Sequence, residues 1–175
     1  MSKSNPMQTI KIQKLCINTN VKPKENRLDK AVAVLKQIAG QEPFISKSRL
    51  TVRGWGIRRN EKVSASVTIR GEKAEELLKA ALQVKEFELP EDCFSNNGCF
   101  GFGIEEHIDL GIKYDPLFGI FGFNYFVVLE KPGMRISKRK RCTARVGKKQ
   151  KVDQEEARKW FVEKFDGVLQ KVEAE

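Results

Sequence analysis

Residues 62–82, KVSASVTIRGEKAEELLKAAL, place a strand pattern directly before a helix pattern. In the first part, apolar side chains alternate with polar ones. This predicts a strand with one core face and one face of hydroxyl groups that ends in the guanidinium of Arg70. Gly71 then precedes a helix whose acidic residues lie in the first turn, where they favour the helix dipole. Its apolar stripe recurs at helical spacing, at Ala74, Leu77, Leu78, Ala81 and Leu82.

A second strand–helix pattern lies nearer the N-terminus. Residues 9–18 predict a strand with Leu15 and Ile17 on its core face, because successive side chains point to opposite faces. The other face of that strand would carry Lys14, Cys16 and Asn18. The helix that follows has Asn26 as its predicted N-cap and Gly40 at the position of a C-terminal glycine. Its predicted stripe is Leu28, Ala31, Val32, Leu35 and Ile38 or Ala39.

Three further elements complete the prediction. Residues 44–53 and 125–129 predict strands, and Asp153 with Glu156 forms a capping-box pattern at the start of a C-terminal helix. Residues 87–124, rich in Phe, Gly and Asn, predict a packed but irregular segment. The fold class is therefore α+β: an antiparallel or mixed sheet with helices packed on one face. The opposite face of the sheet is predicted to stay open.

Charge is sorted into blocks along the chain. Residues 1–70 carry fifteen Lys/Arg against four Asp/Glu, and residues 131–151 carry ten Lys/Arg with no acid. Between them, residues 71–130 have a net charge of −8, and residues 152–175 have a net charge of −3. Two basic blocks that flank an acidic one favour a polyanion as ligand, above all nucleic acid, because each neutralised phosphate releases counterions. The open sheet face and a long basic hairpin loop are the predicted RNA surfaces.

The 175 residues suit one domain with an extension. We predict an N-terminal tail over residues 1–8, an α+β RNA-binding domain over 9–130, a basic arm over 131–152 and a helix within 153–175 that packs on the domain. No apolar run is long enough to span a bilayer, so no membrane partner is expected. Four cysteines without paired spacing predict reduced thiols, and neither a metal site nor a cofactor.

Two basic segments are candidate RNA contacts. The hairpin loop from Arg53 to Glu61 combines three arginines, which bind phosphate, with Trp55, which can stack on a base. The alternative is a solvated tip with Trp55 folded back onto the core. In the basic arm, the run KRKR at residues 138–141 predicts a segment that becomes ordered on RNA; a nuclear import signal and a solvated tail are the alternatives.

Two other patterns carry less weight. Asn97–Phe102 is superficially similar to an RNA-recognition motif, but it lacks the basic residue before glycine and a partner strand. His107 with Glu105, Glu106 and Asp109 would suit a metal-dependent nuclease, yet it is a single histidine in an ordinary acidic stretch. We expect no enzymatic activity.

Longer motifs identify a family resemblance. They are Ile17-Asn18, AGQEP at 39–43, FISKSR at 44–49, GIRRNE at 56–61, VTIRGEKAEELL at 67–78, GCFGFGIEEHIDLGIKYDP at 98–116 and the strand at 125–129. Together they closely resemble the large-subunit ribosomal protein family known as protein five in bacteria and protein eleven in eukaryotes. The match covers about residues 8–170. The basic block and the ending from Trp160 to Gly167 resemble the eukaryotic branch.

The resemblance implies a structural component of the large ribosomal subunit that binds 5S rRNA in the central protuberance and contacts peptidyl-site tRNA. The implied partners also include large-subunit rRNA, a neighbouring 5S-binding ribosomal protein and a small-subunit head protein, which the acidic block would face. Its implied location is the cytoplasmic ribosome, with nuclear or nucleolar assembly. A non-ribosomal RNA-binding regulator is the alternative.

The family's contacts fall on three groups of residues here. The predicted 5S rRNA-binding residues are Asn18, Gln41, Lys47, Arg49, Thr68 and Arg70. The predicted tRNA-contacting loop consists of Arg53, Gly54, Trp55, Gly56, Ile57, Arg58, Arg59 and Asn60. The predicted contacts of the basic arm are Arg135, Lys138, Arg139, Lys140, Arg141 and Arg145.

Two positions depart from the family pattern. The family follows its asparagine with a glycine-rich turn, whereas residues 19–22 of this chain, TNVK, contain no glycine. Asn20 tolerates a left-handed conformation and is expected to replace it. Trp55 stands where phenylalanine is common, which should preserve stacking.

Overall fold

The computed structural model of the chain describes residues 5–21, 27–112 and 114–170. Within these residues, the long strands are β1 (Lys11–Asn20), β2 (Phe44–Lys47), β3 (Lys62–Ile69), β5 (Phe100–Ile104) and β6 (Phe123–Glu130). They form a mostly antiparallel sheet in the order β2-β3-β1-β6-β5. Two short strands, β4 (Glu88–Pro90) and β7 (Val168–Gln170), pair in parallel. The predicted α+β class is confirmed.

Three α-helices lie in the same described residues: α1 (Arg27–Ala39), α2 (Glu72–Val84) and α3 (Gln154–Phe165). Contacts divide the chain into two compact units. The first contains the described residues within 1–15, 70–102 and 126–175, and the second contains those within 16–69 and 103–125. The predicted N-cap Asn26 lies outside the described residues.

In the second unit, α1 packs on β3, and β3 follows the predicted alternation. The predicted stripe of α1 is wrong at two positions, because Leu28 and Val32 are only half-buried and Val34 is buried instead. Ala65, Val67 and Ile69 of β3 are buried, whereas Thr68 is exposed, so the strand has one core face. The buried stripe of α1 contains Ala31, Val34, Leu35, Ile38 and Ala39. Gly40 ends this helix as predicted: its φ is +68° and its N–H donates to Lys36 O at 2.8 Å.

In the first unit, aromatic rings join segments that are distant in sequence. Phe94 stacks on Phe100 with ring centroids 5.0 Å apart, and Phe161 of α3 approaches both rings edge-on. The predicted capping box at Asp153 and Glu156 is confirmed, because each side chain accepts from the other's backbone N–H. Fully buried leucines of α2, Leu78 and Leu82, each contribute about 2 kcal/mol by leaving water. The segment 87–124 is packed, as predicted, but it is not irregular throughout, because it contains β4, β5 and the start of β6.

One predicted strand is wrong in its second half. The sequence predicts a strand over residues 44–53, but β2 ends at Lys47. The register with β3 shifts between Ser46 and Lys47, and Ser48 Oγ then donates to Leu50 O at 2.7 Å, which bends the chain. The loop between β2 and β3 is therefore longer than predicted, covering residues 48–61. The first strand also lies two residues later than expected and includes Asn20, so Asn20 is extended rather than left-handed.

Candidate nucleic-acid interface

The polar face of the sheet in the second unit is built by strand alternation. In β1, Leu15 and Ile17 are fully buried, while Cys16 and Asn18 lie half-exposed on the other face. Cys16 Sγ lies 3.7 Å from Thr68 Oγ1, so β1 and β3 present their polar side chains to the same side. The predicted placement of Asn18 and Thr68 on one sheet face agrees with this geometry.

Gln41 joins this face from a different part of the chain. Its side chain follows the α1 terminus, and Nε2 donates to Thr68 O at 2.8 Å. That bond satisfies one amide proton and leaves the side-chain oxygen of Gln41 able to accept. Two predicted RNA-contacting residues, 27 positions apart, are thus in direct contact at the end of β3.

Lys47 and Arg49 lie at the opposite end of this face. Lys47 pairs with Lys62, the first residue of β3, and both Lys47 and Arg49 are exposed. Thr68 lies six positions after Lys62 in β3, which corresponds to about 20 Å along a strand. The predicted 5S residues of this unit therefore form two groups, one at each end of β3. Arg70 directly follows β3 and is exposed.

Phe44 is a further candidate contact, and it was not predicted from the sequence. Its Cα pairs with that of Ser66 in β3, so it lies on the hydroxyl-bearing face, and it is 72% exposed. Next along the strands, Ser46 and Ser64 bond each other at 3.1 Å. An exposed ring beside hydroxyl groups provides a stacking surface for an unpaired base. The available signal was its alternation with Ile45, which is half-buried.

The loop of residues 48–61 is held by its own backbone. Val52 and Ile57 exchange two N–H···O bonds of 2.9 and 3.1 Å, which close a short turn over residues 53–56. Gly56 occupies the left-handed region, with φ +68° and ψ 23°, a conformation that favours glycine. The loop is therefore preorganised rather than an open coil.

The tip of this loop presents cations and an aromatic ring to solvent. Trp55 is 69% exposed, so the alternative in which it folds back onto the core is wrong. Arg58 N–H donates to Glu61 Oε2 at 2.8 Å and Arg59 N–H donates to Thr51 Oγ1 at 3.1 Å. Within the described residues, neither guanidinium forms an ion pair. Both remain available to bind phosphate.

The basic arm of residues 131–152 contains the third group of predicted contacts. Arg135, Lys138, Arg139, Lys140, Arg141 and Arg145 are all exposed. Two have partners in the protein: Lys138 Nζ pairs with Glu130 Oε2 at 3.2 Å, and Arg139 Nε donates to Cys142 O at 2.7 Å. The arm contains short 3-10 turns at Met134–Ser137 and Lys148–Gln150.

The nuclease alternative is not supported by the geometry. His107 is 2% exposed, its Nδ1 accepts from Phe121 N–H at 3.3 Å, and Phe123 packs edge-on against its ring. Across the described part of the chain, no three His, Cys, Asp or Glu side chains form a group that could hold a metal ion. His107 is thus a core residue that satisfies a backbone donor, and it is not a site for acid–base chemistry.

The cysteines are free thiols. Burial raises the pKa of Cys99, and burial together with the nearby Asp92 carboxylate raises the pKa of Cys93. A raised pKa keeps these thiols protonated at neutral pH. Because the thiolate is the nucleophilic form, both thiols are expected to react slowly. Burial also raises the pKa of the Tyr125 hydroxyl.

No helix of the described residues combines the length and apolarity needed to cross a bilayer.

Two family models match successive parts of this chain. The model "Ribosomal protein L5" matches residues 5–58, and the model of the C-terminal part of the same ribosomal family matches residues 62–159. The chain belongs to the ribosomal protein L5 family. It is therefore a ribosomal protein, and a structural component rather than an enzyme.

Several curated relatives of this L5-family protein cover nearly its whole length. The large ribosomal subunit protein uL5 of Tetrahymena thermophila is 53% identical over 165 residues, 94% of this chain and 96% of its own. That of Dictyostelium discoideum is 51% identical over 95% of this chain and 83% of its own. The Chlamydomonas reinhardtii protein is 52% identical over 93% and 96%. The predicted family and its eukaryotic branch are confirmed, and these relatives imply a ribosomal, mainly cytoplasmic location.

Proposed function

We propose that this protein is a component of the large ribosomal subunit that binds 5S rRNA through the polar sheet face and contacts peptidyl-site tRNA through the loop of residues 48–61. One observation carries the proposal: Gln41 and Thr68, both predicted RNA contacts from distant parts of the sequence, are both exposed, and the Gln41 side chain donates to the backbone oxygen of Thr68. The relatives, each a large ribosomal subunit protein uL5, support the same assignment.

The polar face supplies groups that fix the register of RNA. Hydrogen bonds to riboses, phosphates or base edges come from Asn18, the free oxygen of Gln41 and the Thr68 hydroxyl. The phosphate charge is neutralised by Lys47, Arg49 and Arg70. Such contacts position the protein and supply affinity, and the shape of the folded RNA supplies selectivity.

The other proposed partners follow from charge. The basic arm meets large-subunit rRNA, and the acidic stretch 71–130 faces a neighbouring 5S-binding protein or a small-subunit head protein. Assembly would take place in the nucleolus.

The first test removes polar groups from the face. Asn18→Ala with Thr68→Ala should weaken 5S rRNA binding about tenfold, since two neutral hydrogen bonds are each worth about 0.5–1.5 kcal/mol. The circular dichroism spectrum should not change, because Thr68 is exposed and Asn18 is not in the core. An unchanged affinity in a salt-controlled shift assay would rule out this face as the 5S site.

The second test reverses charge at the loop tip. Arg58→Glu with Arg59→Glu leaves the backbone bonds of the loop intact and should spare 5S affinity while slowing translation in a reconstituted system. A loss of 5S affinity as large as that of the sheet-face variant would show that the loop and the face bind the same RNA.

The third test concerns the exposed ring. Phe44→Ala should weaken 5S binding by about 1–3 kcal/mol if a base stacks there. Phe44→Tyr is the matched control, because it keeps the ring and should retain affinity. Equal losses in the two variants would exclude stacking at Phe44.

A sedimentation experiment separates the ribosomal role from that of a free RNA-binding regulator. The ribosomal assignment predicts that the protein in a cell extract co-sediments with the large subunit. Sedimentation mainly as free protein would contradict it.

A further inference from the structure

The basic arm is closed at its base by an ion pair whose ammonium group is buried. Lys131, the first residue of the arm, is 4% exposed, and its Nζ lies 2.6 and 2.8 Å from the two carboxylate oxygens of Glu156. The same ammonium donates to Lys151 O at 3.3 Å. Because Lys151 lies at the end of the arm and Glu156 follows it in sequence, this single side chain joins the two ends of the arm. These are charge-assisted hydrogen bonds, the strong class.

A second side chain repeats the closure. Gln150 Nε2 donates to Pro132 O at 2.6 Å and to Met7 O at 2.7 Å. One amide group therefore ties the end of the arm to its beginning and to the N-terminal segment. Val152 is 5% exposed and packs against Gly98. The ends of the arm are thus fixed in the core of the first unit.

The middle of the arm is folded back on itself. The N–H groups of Lys138 and Arg139 both donate to Arg135 O at 2.9 Å, and Ala144 N–H donates to Ile136 O at 3.3 Å. The two bonds to Arg135 O close the turn at the start of the arm, and the bond from Ala144 connects this turn to the returning segment. Together with the fixed ends, these bonds give the arm a defined shape without RNA.

The folded arm contains a groove of about 580 Å³. Its lining has three kinds of group: the cations Arg145 and Lys151, the hydroxyls of Ser137 and Thr143, and the apolar side chains of Met134, Ala144 and Val146. Ser137 Oγ donates to Met134 O at 2.9 Å, so its oxygen is left to accept. Residues 131–151 contain no acid, so nothing in the arm itself repels an anion.

This combination fits a phosphodiester with its sugar. The cations neutralise phosphate, the hydroxyls bond phosphate or the 2′-OH, and the apolar groups cover the sugar face. A site that is already shaped does not spend binding energy on ordering the chain, which is the benefit of preorganisation.

We propose that the basic arm is a preformed RNA-strand clamp in the free protein, closed by the Lys131–Glu156 pair, and that its groove receives a phosphodiester of an RNA strand against Arg145 and Lys151. The clamp rests on the proposed function only in taking RNA as its ligand. It replaces the expectation from sequence of an arm that becomes ordered on RNA.

Hydrogen exchange on the protein without RNA tests the preformed shape. The amides of Lys138, Arg139 and Ala144 should exchange at least about ten times more slowly than in an unstructured peptide, because each donates within the arm. Exchange at the unstructured rate would overturn the proposal, and it would leave the proposed 5S site on the sheet face untouched.

Binding to a single-stranded uridine 20-mer tests the groove. Arg145→Ala with Lys151→Ala should reduce the slope of log affinity against log salt by about 1.4, since each lost single-strand phosphate contact removes about 0.7. Lys140→Ala with Arg141→Ala is the matched control, because it removes the same charge from exposed positions of the arm that do not line the groove. The control should reduce the slope by less than half as much.

Equal slope reductions in the two variants would show that the arm acts as diffuse charge, and would overturn the groove assignment. Parallel measurements on 5S rRNA keep the two proposals separate. If the unaltered protein shows no preference for 5S rRNA and still binds the uridine 20-mer in a way that depends on the groove residues, that result would contradict the proposed function and support the clamp.

Discussion

The two residues of the ion pair at the base of the arm differ in burial, so we expect their substitutions to lower the stability of the protein by different amounts. The Lys131 side chain is 5% exposed, whereas that of Glu156 is 43% exposed. Glu156→Gln therefore leaves a buried ammonium without its counter-charge, while Lys131→Met leaves a carboxylate that water can still reach. Breaking a buried pair from one side costs about 3–5 kcal/mol, and the exposure of Glu156 reduces this to about 2–3 kcal/mol.

The opposite substitution should cost little. Methionine in place of Lys131 keeps an apolar stem of similar length in the buried position and removes the group that most needs solvation, so we expect a loss of about 1 kcal/mol or less. Glutamine at residue 156 can still serve in the capping box, so the larger cost of that variant arises from Lys131 rather than from the start of α3.

Urea denaturation followed by circular dichroism measures the difference. With a slope of roughly 2 kcal/mol per molar urea for a chain of this size, the midpoint should fall by roughly 1–1.5 M in Glu156→Gln and by less than about 0.5 M in Lys131→Met. The control is Glu155→Gln, an exposed residue of the same helical turn, which should lose only about 0.3–1 kcal/mol of helix-dipole stabilisation. A midpoint for Lys131→Met as low as that for Glu156→Gln would contradict the expected difference between the buried ammonium and the solvent-accessible carboxylate.

Two other predictions concern tight packing and thiol reactivity. Gly98→Ala should destabilise the protein by about 1–3 kcal/mol in the same urea assay. The reason is that φ of Gly98 is +70° and an added Cβ would lie 2.5 Å from Val152 Cγ1. A urea midpoint within about 0.2 M of that of the unaltered protein would contradict this contact. Timed iodoacetamide labelling at pH 7.5, read by mass spectrometry, should modify exposed Cys142 before Cys93 and Cys99, because burial raises the pKa values of the latter two thiols. Labelling of Cys99 before Cys142 would contradict the assigned environments.

The elements with strong periodicity could be predicted from the sequence. The alternation in β3, the apolar stripe of α2 and the capping box of α3 are each set by local patterns, and they agree with the structure to within about two residues. The open polar face follows from the same alternation, which is why the sequence alone assigns Asn18 and Thr68 to it.

The features that were not predicted depend on contacts distant in sequence. The end of β2 at Lys47 is set by the shift in its pairing with β3, and the run of residues 44–53 gives no sign of it. Thr19 is another example: it is 2% exposed and its hydroxyl donates to Gly122 O at 2.9 Å, more than 100 residues away. A threonine next to the predicted RNA-contacting asparagine looks like another surface contact until the fold brings its acceptor close.

The basic arm shows the same limit in its charges. By composition, residues 131–151 are a run of cations with no acid, which is typical of a segment that orders only on its ligand. The acid that closes the arm, Glu156, lies outside the run, and only the tertiary structure places it against Lys131. Charge patterning predicts a ligand class for the arm, whereas its shape depends on long-range contacts.

The most direct test of the central claim is the affinity of the purified protein for 5S rRNA, compared with an unrelated structured RNA of equal length, measured across a salt series. We expect a preference for 5S rRNA that persists at about 0.15 M salt, because positioned polar groups on the sheet face are far less sensitive to salt than phosphate contacts. Equal affinity for the two RNAs, lost together as salt rises, would show that the basic segments act by charge alone and would contradict specific 5S recognition.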